Sequence, residues 1–62
     1  MSRELMYEDV VVAHLLDVNV ETIRRRCRAG IDGAERRTNG RRVVWFVPVR
    51  WVGHEYARHT ST

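Results

Sequence analysis

The sequence contains no lysine, one cysteine, one proline and no apolar run longer than seven residues. Each scarcity excludes something. The single thiol, Cys27, cannot close an intramolecular disulfide, and it rules out a zinc site built on several thiolates of this chain. The longest apolar stretch, residues 43–49, is about a third of the roughly 20 residues that a membrane-spanning helix needs. Residues 1–6 carry Arg3 and Glu4 and do not read as a secretory leader. A lone thiol with no leader points to a reducing bacterial cytoplasm and no membrane partner. The three histidines, His14, His54 and His59, form no i, i+4 pair, so no metal is expected. No nucleophile–base pair, glycine-rich phosphate loop or paired carboxylates stand out, and 62 residues leave little room for a water-excluded pocket. The chain reads as no enzyme, with no cofactor. Its length bounds it to one domain, with an ordered core over about residues 5–59 and fraying ends.

What the sequence does have is arginine, and it is unevenly placed. Residues 1–21 hold Arg3 against five acids, Glu4, Glu8, Asp9, Asp17 and Glu21, a net charge of −4. Residues 24–42 hold eight arginines (24, 25, 26, 28, 36, 37, 41 and 42) against Asp32 and Glu35, a net charge of +6. Codon bias in a GC-rich genome accounts for arginine in place of lysine, but not for this clustering. A localised basic field is the footprint of a polyanionic partner. Arginine also suits bidentate contacts to phosphate and guanine.

The pattern predicts three helices and one hairpin. Residues 8–16 read as a short first helix, with Glu8 or Asp9 near its N-cap, Val12, Leu15 and Leu16 on its apolar face and Tyr7 packing back as a staple. Asp17-Val18-Asn19 reads as a tight turn, Val18 plugging the core from it. Asn19 caps a second helix from Val20 to about Ala29, stopped by Gly30. On that helix Val20, Ile23 and Cys27 fall on one side, with Arg26 at the border. Glu21, Thr22, Arg24, Arg25 and Arg28 spread over the opposite arc, which burial leaves free. Backbone amides near Asn19 and Val20, at the helix N-terminus, offer a phosphate seat.

Asn39-Gly40 is a strong two-residue hairpin signal, between residues 34–38 and 41–47. Arg36, Arg37, Arg41 and Arg42 flank its tip, and so many like charges across two strands repel unless something neutralises them. Pro48 is expected at the first position of a third helix reaching about Arg58. Val49, Val52 and Tyr56 are its apolar positions, and Gly53 inside it marks a close backbone approach. Trp45, Phe46, Trp51 and Tyr56 read as core, and Cys27 as a buried thiol.

Residues 7–26 resemble the opening of the excisionase-like branch of MerR-type winged-helix domains. Val12, Ala13, Leu15, Leu16, Val18, Thr22, Ile23, Arg24 and Arg25 match its pattern. Gly30 fits the glycine ending the family's second helix, and residues 40–46 look like its wing of glycine, arginine and aromatics. The likeness covers roughly residues 7–58. Asp17 replaces the usual turn glycine, Arg26 stands where an aromatic is common, and Val43-Val44 lengthens the wing strand.

The resemblance implies a mainly α winged helix-turn-helix: helix-turn-helix, two-stranded wing and closing helix. It places Asn19, Glu21, Thr22, Arg24, Arg25 and Arg28 at or near the major groove of duplex DNA. It places Arg36, Arg37, Asn39, Gly40, Arg41 and Arg42 on the wing, in the adjacent minor groove. Two roles fit Arg26, phosphate contact and packing. The implied function is that of an excisionase, or recombination directionality factor, of a phage or integrative element. Such a protein binds repeated sites on an attachment-site arm, bends the DNA and directs a tyrosine-type integrase toward excision. The acidic first segment offers itself to the basic block of a neighbouring copy, for head-to-tail cooperative assembly. A small transcription regulator of the same fold fits equally well. A third reading, of another class, is an interaction module whose arginines meet an acidic protein.

Overall fold

The computed structural model describes residues 5–60; of the expected frayed tails, residues 1–4, 61 and 62 lie outside them, while Thr60 ends a helix. The elements run β1 (Met6–Glu8), α1 (Asp9–Leu16), α2 (Val20–Gly30), β2 (Glu35–Asn39), β3 (Arg42–Pro48) and α3 (Val49–Thr60). Three helices pack with a three-stranded antiparallel sheet of order β1-β3-β2. The fold is therefore mixed α/β, where a two-stranded hairpin alone was expected.

β1 is the strand the sequence did not announce. It pairs with the free edge of β3 through Met6 and Pro48, Tyr7 and Val47, and Glu8 and Phe46. The Val49 amide donates to the Leu5 carbonyl at 2.9 Å beside it. Tyr7 is thus a strand residue opposite Val47, not a staple. A three-residue segment carries too short an alternation to show its period; long-range pairing with β3 creates it.

α1 follows Glu8, the N-cap residue, whose backbone is extended and whose side chain makes no cap. Asp9 takes that work, its carboxylate accepting from the Val10 amide at 2.7 Å. The helix buries Asp9, Val12, Ala13 and Leu16. Leu15, expected inside, is 44% exposed, because the buried stripe runs through positions 9, 12, 13 and 16 instead. Asp17 adopts φ 56°, the left-handed conformation asparagine and aspartate tolerate, and the chain closes with the Val18 amide on the Ala13 carbonyl. Asn19 then caps α2 as expected, its side-chain oxygen accepting from the Glu21 amide at 2.8 Å.

α2 buries Ile23 and Cys27, and burial pushes the Cys27 thiol above its ordinary pKa, making it less reactive. The helix ends at Gly30 (φ 120°), and Ile31 beyond it turns back into the core. The core gathers Val12, Ala13, Leu16, Ile23, Cys27, Ile31, Val47 and Val52, with Val18, Val20, Ala34, Trp45 and Trp51 packed around it.

The hairpin closes one residue later than the Asn-Gly signal implied. Asn39 pairs with Arg42, so Gly40 and Arg41 form the loop. Gly40 has φ 64° and Arg41 is not left-handed, the pattern of a type II′ turn with glycine first. The register has an electrostatic logic. A turn at residues 39–40 would set Arg37 directly opposite Arg42. In the observed register Arg36 faces Trp45, Arg37 faces Val44 and Arg42 faces Asn39. No arginine of β2 directly opposes one of β3, which removes that like-charge pair.

Pro48 ends β3 and α3 begins one residue later, not at Pro48. Tyr56 is 55% exposed, whereas Glu55 is the buried residue of that turn. Phe46 lies on the sheet face opposite Val47 and outside the core cluster, with the Arg37 guanidinium 4.6 Å above its ring. A Cβ on Gly53 would meet nothing within 4 Å, so no close backbone approach explains it. Gly53→Ala is therefore expected to stabilise the protein by about 0.5–1 kcal/mol. Gly33→Ala should do the opposite. It forces a side chain onto φ 86° and drives Cβ to 2.9 Å from Pro48 Cγ. A loss of about 1–3 kcal/mol is expected, and thermal melting of the two variants checks both signs.

Candidate functional site

α2 and the β2–β3 hairpin carry the predicted site residues, and the shared core fixes the two elements to one another. Ile23 and Cys27 anchor α2, while Val47 and Trp45 anchor β3. Beyond Trp45 the hairpin overhangs: every residue of β2 is exposed, as are Arg42 and Val43 on β3. Opposed residues share a sheet face. Arg36 and Thr38 therefore lie on the face of Val43, Trp45 and Val47, turned toward the helices, and Glu35, Arg37 and Asn39 lie on the other.

The arginines divide into two groups. Arg24 sends Nε to Asp9 Oδ2 at 3.1 Å and Nη1 to Glu21 Oε1 at 3.2 Å. These hydrogen bonds, the one to Asp9 foremost, raise its pKa further and turn the side chain toward α1. Arg26 donates to Glu55 at 2.9 Å and sits 5.4 Å over the Trp51 ring. Of its two expected roles, packing is the one its geometry fits. Arg37 pairs with Glu35 at 2.9 Å, and Arg58 with Glu55 at 3.3 Å. Arg28 has only a loose contact, 3.8 Å, to the exposed Glu21.

The second group is Arg25, Arg36, Arg41 and Arg42. These four make no ion pair among the described residues, and all are exposed. Arg25 stands on the outer arc of α2 beside Glu21 and Thr22, both exposed. Arg41 and Arg42 stand at the hairpin tip beside Asn39 and Gly40. The expected phosphate seat at the start of α2 is partly taken, since the Glu21 and Thr22 amides both donate to Asn19.

Between α2 and the overhang lies an open depression of about 550 Å³ lined by Arg28, Arg36, Val43 and Trp45. It brings together two arginines predicted for separate elements. Val43 and Trp45, read from sequence as strand and core residues, belong to its wall. Asp9 is the other residue whose role the sequence hid. It is 1% exposed, and its carboxylate also faces the Trp45 amide at the long limit of 3.5 Å. One side chain thus ties α1, α2 and β3 together. In the sequence it showed only as a favourable dipole contact and a candidate near the N-cap. Among the described residues no three His, Cys, Asp or Glu side chains gather to hold a metal ion, and no helix is long and apolar enough to cross a membrane.

Comparison with family models, curated proteins and solved structures found no match.

Proposed function

We propose that this chain is a winged helix-turn-helix protein that binds duplex DNA. In this reading α1 and α2 form the helix-turn-helix, α2 enters the major groove, and the β2–β3 hairpin is the wing on the neighbouring minor groove. The observation that carries the reading is the sorting of the arginines. Arg24, Arg26, Arg37 and Arg58 each have a carboxylate partner within 3.3 Å, whereas Arg25, Arg36, Arg41 and Arg42, exposed on two adjoining elements, have none among the described residues. Unpaired guanidiniums on a rigid frame suit a regularly spaced polyanion.

Within that reading, the resemblance of residues 7–58 favours an excisionase of a phage or integrative element, an architectural protein that bends an attachment-site arm for a tyrosine-type integrase. Bending costs on the order of 1–6 kcal/mol, which added contacts offset. Self-association along the DNA has support in α1, whose outer side exposes Val10, Val11 and Leu15 between the acidic Glu8 and Asp17. Glu8 and Asp17 are the acids there left to meet the basic block of a second copy, since Asp9 is buried against Arg24 and Glu21 pairs with the same arginine.

The test is a titration onto an attachment-site arm and onto random duplex at two salt concentrations. With about five phosphate contacts, log K falls against log salt with a slope of about −4 to −5. Stepwise cooperative complexes on the arm alone support the excisionase role. A single complex on a promoter-type operator supports a transcription regulator. Absence of binding to either duplex at low salt overturns the DNA reading and directs attention to acidic protein partners.

A further inference from the structure

Three surface depressions compare usefully. One is lined by Asp32, Arg50, Trp51 and His54, and another by Arg26, Glu55, Arg58 and His59. In each, a carboxylate accompanies the cations. The depression between α2 and the hairpin is larger, about 550 Å³ against about 280 and 310 Å³, and its lining has two arginines and no carboxylate. The nearest acid to Arg28 is Glu21, 3.8 Å away and shared with Arg24 at 3.2 Å. Two guanidiniums on one small concavity repel, and a bound anion relieves that repulsion. The rest of the wall is apolar: Trp45 is half-buried, and Val43 is 40% exposed on the same strand face. An anion flanked by an apolar surface is the chemistry of a phosphodiester joined to a deoxyribose.

We propose that this cleft seats one sugar–phosphate strand of a DNA duplex, with Arg28 and Arg36 closing on a phosphate and Trp45 and Val43 packing on the adjoining sugar. The proposal rests on the DNA-binding reading and adds to it. If α2 occupies one groove and the hairpin the next, the object between them is a single backbone strand, and the cleft lies between those two elements. Trp45 is then a binding residue that also supports the core. The seat fixes how deeply the helix and the wing can enter their grooves together.

Two tryptophans are present, Trp45 and Trp51, and Trp51 lies under Arg26, outside the cleft. Trp51→Phe therefore leaves Trp45 as the one indole reporter. A fluorescein-labelled 20-base-pair duplex is titrated into this variant, with anisotropy followed beside Trp45 emission and its quenching by acrylamide. The expected result is protection of Trp45 from acrylamide with the same midpoint as the anisotropy change. Arg36→Gln, an exposed strand substitution, should weaken binding several-fold and reduce the magnitude of the salt slope by about 0.9. Binding by anisotropy with Trp45 still open to acrylamide and an unchanged slope for Arg36→Gln would overturn the seat and leave the DNA reading standing. No anisotropy change at low salt, for wild type as well as variant, overturns both.

Discussion

Replacing Arg25, Arg41 and Arg42 together with glutamine is expected to lower duplex affinity by several hundredfold at 0.1 M salt while leaving the fold intact. The magnitude follows from counterion release. Each phosphate contact contributes about 0.9 to the salt slope, which at 0.1 M is a factor of about 8 relative to 1 M, so three contacts amount to roughly 500-fold. The slope should flatten from about −4.5 to about −2. The fold should survive because none of the three makes an ion pair among the described residues and all are exposed. Surface changes of this kind stay within about 0.5 kcal/mol. Anisotropy at three salt concentrations, with a thermal melt of each variant, checks both halves. Undiminished affinity in a folded triple variant would place the interface elsewhere. The single variant Arg25→Ala separates two contact types. A larger loss on the specific site than on random DNA identifies a base reader, and equal losses identify a phosphate contact.

The contrast with the paired arginines sharpens this expectation. Arg24 and Arg25 are neighbours in sequence and both match the resembled family's pattern, yet the fold treats them differently. One is drawn under the helix by Asp9 and the other is left outside. A count of basic residues alone would weigh them equally.

Local signals carried much of the architecture. Asp17 at the left-handed turn, Asn19 capping α2 and Gly30 at its end all appear where short-range chemistry put them. What escaped were features decided by distant partners. β1 exists because β3 has an edge to fill. The hairpin register follows from which arginines face each other across two strands, and the Asn-Gly pair by itself carries no such information. Leu15 and Tyr56 looked apolar enough for the core, but Asp9 and Glu55 were buried, each held by an arginine of α2. The site shows the same division. Its arginines are visible in the chain as a cluster. The cleft joining Arg28 to Arg36, and the presence of Trp45 in its wall, need the packed fold.

Asp9 is the position where stability and the site meet, and Asp9→Asn is expected to be among the most damaging single changes in the chain. The side chain is almost wholly buried and accepts from the Val10 amide at 2.7 Å and Arg24 Nε at 3.1 Å. An amide of the same shape keeps one accepting oxygen but turns the other acceptor into a donor, which meets the Arg24 and Trp45 N–H groups head-on. Loss of charged hydrogen bonds at a buried carboxylate costs about 2–3 kcal/mol. A domain of this size has only about 3–9 kcal/mol in total, so a fall in Tm of about 10–20 °C is expected. The binding consequence is separate. Without the carboxylate, α2 and β3 lose the group that ties them to α1, and the helix and hairpin no longer hold one spacing. Affinity should therefore fall even at temperatures where the variant remains folded, with the salt slope preserved because every outward arginine is still present. Adding Gly53→Ala to recover stability should raise Tm without restoring affinity. If affinity returns in step with Tm, Asp9 serves only the fold; if it does not, the Asp9 carboxylate sets the geometry with which α2 and the hairpin meet DNA.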